Sequence, residues 1–286
     1  MFSDSHAHIF SILQKNGGNP SFLKEMELKG FKFVMDIGTE PGDLAERKKA
    51  VSEACNGKIP GFIWFSAGLW PHASSIAEPE KSMRVLKNDI HTLLAEKHTY
   101  CALGECGLDR YWNGTNAVAN ASNNGIEKGT TDVAGEKFLF KEQLKFAREK
   151  NLPVIIHSRD AFKETLECID DVGYHNGIIH CYSYGTEEIV EFIKRGWYIS
   201  FSGNITYPKK HEDKEKTAQF LKAVPKNRLL LETDAPYLTP VPFRGKVNTP
   251  LLIEYVYATA SEILGISMEA LAEQIYANCC ECFAVK

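Results

Sequence analysis

The chain has no apolar run approaching the ~20 residues that a membrane-spanning helix needs, and no basic start followed by an apolar stretch of the kind that marks a secretory signal. A cytoplasmic protein is therefore expected, with no membrane partner. Cysteine is thin for 286 residues. The eight that are present lack the density of a disulfide scaffold and read as reduced thiols. Cys279-Cys280-x-Cys282 could bind a metal, but it lacks the second pair that a zinc site of that kind uses. Positive charge is not in excess either. A formal net charge of −4 argues against a basic face that grips nucleic acid over a long footprint. It leaves room for an enzyme that meets phosphate through bound cations. No glycine-rich fingerprint opens the first helix, which disfavours a dinucleotide-binding sheet.

What is present is alternation. Extended apolar segments at Phe2–His8, Phe31–Ile37, Gly61–Leu69, Tyr100–Glu105, Leu152–His157, Gly177–His180, Trp197–Ser202 and Arg228–Thr233 read as strands. Between and after them, helical patterns cover Ser21–Lys29, Gly42–Asn56, Glu80–Glu96, Glu136–Lys150, Ala161–Val172, Thr186–Arg195, Glu212–Ala223, Pro250–Leu264 and Met268–Asn278. In the fourth of these, Phe138, Leu144 and Ala147 are taken as the apolar face and Lys141, Lys145 and Lys150 as the polar one. Eight strands alternating with helices in about 250 residues predict an α/β fold: a TIM (β/α)8 barrel. No linker divides it, so residues 1–286 form one domain. Residues 113–135, rich in Asn, Gly and Thr, interrupt the alternation after the fourth strand. They read as a long polar loop over the barrel mouth or, equally, as a surface insertion.

In such a barrel, function sits at the carboxyl ends of the strands, and metal-compatible side chains gather there. Asp4, His6 and His8 share one face of the first strand by its two-residue repeat. Glu105 ends the fourth strand, His157 the fifth, His180 the sixth and Asp234 the eighth. Four imidazoles and two carboxylates at one rim suit divalent-metal binding.

The same segments carry a family resemblance. Asp4-Ser5-His6-Ala7-His8, Gly68-Leu69-Trp70-Pro71-His72, Gly104-Glu105-Cys106-Gly107-Leu108-Asp109, His157-Ser158-Arg159-Asp160-Ala161, His180-Cys181-Tyr182, Ser202-Gly203-Asn204-Ile205-Thr206 and Glu232-Thr233-Asp234-Ala235-Pro236-Tyr237 resemble, in order and across nearly the whole chain, the TatD family of metal-dependent hydrolases, within the amidohydrolase-like barrels. The resemblance implies a two-metal centre acting on phosphodiesters of DNA. His6, His8 and Asp234 would hold one cation, His157 and His180 the other, and Glu105 would bridge them. Such a ligand set would accept Zn²⁺, Mn²⁺, Ni²⁺ or Mg²⁺, with histidine leaning toward the transition metals. Asp234 and Glu105 are then the catalytic carboxylates, with Asp234 placed to take a proton from the attacking water.

Softer assignments surround this set. Arg159 would fork onto a phosphate or pair with a loop carboxylate. His72 would reach the pocket or stay an exposed loop histidine. Tyr207 and Tyr237 lie where bases could stack on them or where they pack into the core. Lys209 and Lys210 make a small positive patch or a solvated surface. Asp4 and Glu232 read as partners that orient a ligating imidazole through its other nitrogen, or as inward carboxylates held by backbone amides. Relatives commonly carry Asn-Glu-Pro where this chain has Asn248-Thr249-Pro250, so Thr249 stands in place of an acid.

The leading expectation is a DNA phosphodiesterase, most simply a 3′-exonuclease working on single-stranded ends. A metal-dependent amide, ester or lactone hydrolase, such as an aminoacyl-tRNA deacylase, is the alternative. A non-catalytic metal- or phosphate-binding barrel is a third. The oligomeric state stays open, a monomer being compatible with all of these.

Overall fold

Eight parallel strands form one ring in the computed structural model, which describes residues 2–94, 100–117 and 129–285. They are β1 Ser3–Ala7, β2 Phe33–Asp36, β3 Ile63–Ala67, β4 Tyr100–Asp109, β5 Val154–Arg159, β6 Gly177–Ile179, β7 Tyr198–Phe201 and β8 Leu229–Leu231, each paired with the next. The ring closes beyond the end of β8. Ala7 bridges Ala235, the His8 N–H donates to Ala235 O at 2.7 Å and the Asp234 N–H to His6 O at 2.9 Å. The fold is the (β/α)8 barrel that the alternation predicted. Several of its strands are largely apolar because one side fills the barrel and the other meets helices. Leu229, Leu230, Leu231, Ile178 and Ile179 are all buried.

Helices α1 Ile9–Lys15, α2 Ser21–Leu28, α3 Asp43–Ala54, α4 Ala73–Ala77, α5 Pro79–Leu94, α6 Val133–Lys150, α7 Phe162–Val172, α8 Thr186–Lys194, α9 His211–Ala223, α10 Ile253–Leu264 and α11 Met268–Cys282 cover the ring. Local chemistry sets several of their ends. Asp132 accepts from the Gly135 N–H at 2.8 Å to start α6, and Ser267 from the Ala270 N–H at 3.2 Å to start α11. Gly173 and Gly265 end α7 and α10 in left-handed conformations. Among the described residues, no single helix is long and apolar enough to cross a membrane.

The buried face of α6 differs from the one expected. Leu139, Phe140, Gln143, Leu144, Phe146 and Ala147 are buried, whereas Phe138 is 47% exposed. Phe138 falls on the same three- and four-residue steps as Lys141 and Lys145, so the helical period carries it to the solvent side.

Three buried polar contacts fasten helices to the strands or to the segments just beyond them. Arg47 of α3 donates to Asp36 Oδ2 at 2.7 Å and to Ser66 O at 2.6 Å. Gln143 of α6 exchanges hydrogen bonds with the backbone of Leu69. Tyr257 of α10 donates to Ser3 O at 2.9 Å. Each satisfies backbone groups that would otherwise be left without a partner.

Strand β4 runs four residues past its expected end, to Asp109, with a register irregularity between Leu103 and Cys106. Glu105 therefore lies within the strand rather than at its end. Gly107 makes this close pairing possible. Its φ is +148°, and a Cβ there would meet His157 O at 1.8 Å.

Candidate metal centre

All six expected ligands converge at the carboxyl-end rim. Glu105 is at the middle of the set. Its Oε2 lies 3.2 Å from His6 Nε2 and 3.7 Å from His8 Nε2. Its Oε1 lies 3.0 Å from His157 Nδ1 and 3.0 Å from His180 Nε2. One carboxylate thus turns one oxygen to each pair of imidazoles. Asp234 Oδ1 stands 3.7 Å from His6 Nε2 and 3.5 Å from His8 Nε2, on the first pair's side.

The contacts among the imidazoles point to a cation. His6 Nε2 faces His8 Nε2 at 3.3 Å, and His157 Nδ1 faces His180 Nε2 at 3.3 Å. Nitrogens aimed at one another share at most one proton usefully, whereas neutral nitrogens aimed at one point make a ligand set. The buried Nδ1 atoms of His6 and His180 have no hydrogen-bond partner, although Glu232 Oε1 stands 3.4 Å from the latter. Three groups place their donor atoms within 4.8 Å of one another: His6, His180 and Asp234; His6, His8 and Glu105; and Glu105, His157 and His180. Two of the three contain Glu105. The mixture of nitrogen and carboxylate donors fits divalent transition metals.

The electrostatics of the site follow from this crowding. Burial alone would raise Glu105, but the charge of His180 and hydrogen bonds from His157, His180 and His6 hold its carboxyl well below the usual range. Burial opposes protonation of His157, yet hydrogen bonds to Asp109 and Glu105 and the charges of both push it up to about 9. His180 is likewise driven well upward against burial, by Glu105 and then Glu232. His6 goes down, through burial and the neighbouring His180. The centre thus holds an acid that stays ionised and imidazoles that take protons where cations would sit.

A family model described as TatD related DNase matches residues 3–284. The chain belongs to the TatD-related DNase family. Within it, a Bacillus subtilis protein described as the uncharacterized metal-dependent hydrolase YabD is 28% identical over 274 residues, covering 95% of this chain and 94% of its own. Erwinia billingiae has a 3′-5′ ssDNA/RNA exonuclease TatD that is 27% identical over 262 residues, covering 90% and 89%. The crystal structure of the Escherichia coli TatD homologue YJJV superposes with a TM-score of 0.78 at 25% identity, covering 100% of this chain and 98% of that one. The protein is accordingly a metal-dependent hydrolase of the TatD type.

Around this TatD centre, some expected residues take other places. Arg159 and His72 line a cavity of about 600 Å³ that opens on the ligands. Arg159 has its guanidinium carbon over the Tyr111 ring, 3.8 Å from the centroid. His72 Nε2 pairs with Glu40 Oε1 at 2.7 Å. Tyr237 also lines the cavity, its ring 6.0 Å from that of His8. Tyr207 is not among the cavity's lining residues. It faces an adjoining hollow, and its hydroxyl donates to Thr239 O at 3.1 Å. Lys209 lines that same hollow, and Lys210 is exposed at the start of α9. Thr249 stands just before the short turn Pro250–Leu252, outside the cavity lining.

Of the two inward acids, only Glu232 faces an imidazole. Asp4 instead accepts from the Thr233 hydroxyl at 2.6 Å and from the Thr233 and His6 amides, so it secures β1 to the segment after β8. The ends of the 113–135 insertion are tied together, the Thr130 N–H donating to Asn113 Oδ1 at 3.0 Å. Asn113 and Gly129 line the cavity, while residues 118–128 lie outside the described residues. Cys279 and Cys282 are buried along α11, and no group of donors that could hold a metal includes them among the described residues.

Sequence reasoning gave no role to Asp109, whose Oδ2 stands 2.8 Å from His157 Nε2. It fixes that ring so that Nδ1 points at Glu105. The signal was its parity with Glu105, four residues earlier on one strand face. Trp70, whose ring lies 5.5 Å from that of His157, and Trp112 also line the cavity without having been singled out.

Proposed function

We propose that the protein is a two-metal phosphodiesterase that cleaves single-stranded DNA, working from the 3′ end. The observation that carries this reading is the split of Glu105, with one oxygen toward His6 and His8 and the other toward His157 and His180. A carboxylate so placed would bridge two cations. The name of the Erwinia billingiae relative supports nucleic acid as the substrate class. His6, His8 and Asp234 would hold one ion, His157 and His180 the other, with Zn²⁺, Mn²⁺, Ni²⁺ or Mg²⁺ acceptable to the set. When bound, such a pair lowers the pKa of water and neutralises charge that develops on phosphoryl oxygens.

The chain's own groups supply the rest. Asp234 is the general base, because its Oδ1 is beside the first imidazole pair and the residue opens onto the cavity. Arg159, at the cavity wall, offers a planar fork to a non-bridging phosphate oxygen, and its place on Tyr111 limits the orientations of that fork. Trp70 and Trp112 shield one side of the centre from water.

Turnover of single-stranded DNA, bis-p-nitrophenyl phosphate and an ester and lactone panel, with Mn²⁺ or Mg²⁺ and with chelator, tests the reading. Phosphodiester cleavage that the chelator abolishes is expected. Activity on esters alone would replace it with the amide, ester or lactone hydrolase reading. Asp234→Asn should cut turnover by about a hundredfold while losing much less of its metal. Wild-type turnover in that variant would remove Asp234 from the role of base.

A further inference from the structure

The hollow beyond Tyr207 has about 790 Å³ of space. It adjoins the metal-centre cavity across a ridge built from two segments, residues 203–207 and 237–241. Asn204 and Leu238 line the cavity on one side of that ridge, while Tyr207 and Val241 line the hollow on the other. The ridge is braced from within. The Tyr207 hydroxyl donates to Thr239 O at 3.1 Å, and the Val241 N–H donates to Thr206 Oγ1 at 2.9 Å.

Arg244 rests on the Tyr207 ring, its Cζ 3.8 Å from the centroid. Arg244 is an exposed residue, so its guanidinium is within reach of a ligand from solvent while it rests on the tyrosine. A layer of that kind stacks a nucleobase of any sequence, because every base has a π-face. Past it, Lys209, Lys214 and Lys222 line the hollow over an apolar floor that includes Ile263. Glu215 and Glu262 are also in the lining, and His211 Nδ1 is 3.4 Å from Glu215 Oε1. One acid is thus engaged with the histidine, and no ion pair of the three lysines appears among the described residues. A flat stacking plane beside unpaired cations suits a chain of alternating bases and phosphates.

We propose that the Arg244–Tyr207 layer and the lysine-lined hollow form a track for nucleotides remote from the scissile phosphate, holding a single strand whose end lies at the metal centre. The proposal rests on the phosphodiesterase reading and extends it. It assigns substrate-length dependence to a place outside the catalytic cavity.

The test uses the full-length, metal-loaded protein and the variants Arg244→Ala, Arg244→Lys and Lys209→Ala/Lys214→Ala/Lys222→Ala, all at exposed or half-exposed positions. For Arg244→Ala, kcat/KM on an oligodeoxynucleotide of about 16 residues should fall about tenfold more than on bis-p-nitrophenyl phosphate, with the loss in KM. Arg244→Lys, which keeps charge without the plane, should recover only part of it. The triple variant should flatten the dependence of log KM on log salt by about 0.7 per phosphate contact removed. Equal losses on both substrates, or wild-type kcat/KM that is the same for two nucleotides as for the longer strand, would overturn the track. Fluorescence anisotropy of a labelled single strand separates it from the parent reading. Binding that weakens in Arg244→Ala supports the track even if the wild type cleaves no phosphodiester, and strand affinity indifferent to all three variants overturns it.

Discussion

Two buried polar clusters lie within the same barrel, and they are built on opposite rules. Behind β2, Asp36, Asp43, Arg47 and the Ser66 carbonyl meet as cation against anion and donor against acceptor. Arg47 is 2.7 Å from Asp36, 3.1 Å from Asp43 and 2.6 Å from Ser66 O. At the rim, His6, His8, His157, His180, Glu105 and Asp234 crowd together, with imidazole nitrogens 3.3 Å from one another as well as 3.0 to 3.7 Å from the carboxylate oxygens. In the first arrangement the chain supplies an opposite charge for each charge, although Asp43 Oδ1 and Arg47 Nε, 3.1 Å apart, are not aligned as a hydrogen bond. The second is satisfied only by protons or by cations. That difference separates a cluster that holds a fold from one that binds a ligand.

Substitution should separate them in opposite directions. The largest effect belongs to Glu105→Gln, which weakens the one ligand shared by both sides. Turnover should fall about a thousandfold, with metal content reduced by elemental analysis. Arg47→Met should do the reverse. It leaves Asp36 buried without its partner, at a cost of about 3–5 kcal/mol, and should lower Tm by roughly 10 °C while the folded fraction still binds metal. If Arg47→Met shed metal at an unchanged Tm, the contrast between the clusters would not hold.

Asp109→Asn probes the boundary between the two kinds of contact. Asp109 touches no expected cation position. It holds His157 through Nε2 at 2.8 Å and accepts from the Tyr111 and Trp112 amides. Loss of that partner should weaken metal affinity about 10- to 100-fold, measured by competition with a chromophoric chelator. An unchanged affinity would place Asp109 with the structural cluster.

These cases also indicate what a reader of residues alone can see. The convergence of the six expected ligands was legible because most of them sit at or near the end of an apolar run, and strand parity then puts them on one side. The barrel followed from the alternation of the same runs. Asp109 was not legible as a partner of His157, because 48 positions separate them and the irregular register between β4 and β5 decides which residues meet. Asp4 and Glu232 look alike in sequence, each two positions before a ligand. Only the neighbouring strands show that Asp4 meets Thr233 and Glu232 meets His180. Tyr207 is displaced from the cavity by a ridge whose hydrogen bonds join residues 32 and 35 positions apart. Phe138 is a different kind of case, since strict helical counting would have placed it with the lysines.

The smallest effect is in pH, and it sharpens the contrast most. In the metal-free protein His157 is raised from its ordinary 6.5 to about 9 by Asp109 and Glu105, against the pull of burial. A raised imidazole stabilises the fold fully below its unfolded value of about 6.5, and that stabilisation is lost as pH climbs to about 9. Chelated protein should therefore lose stability across this window. Metal-loaded protein should not, because ligation requires the neutral ring. The same linkage requires metal uptake at pH 7 to release protons, and apparent affinity to rise with pH until about 9. Calorimetric titration in buffers of different ionisation enthalpy measures the release directly. Asp109→Asn, which removes the strongest upward pull on His157, should reduce it. The Asp36–Arg47 cluster has no counterpart in this window, since its guanidinium is pushed above its ordinary value. A metal titration with no buffer dependence would mean that the rim imidazoles are already neutral, and that protons do not distinguish the rim from the cluster behind β2.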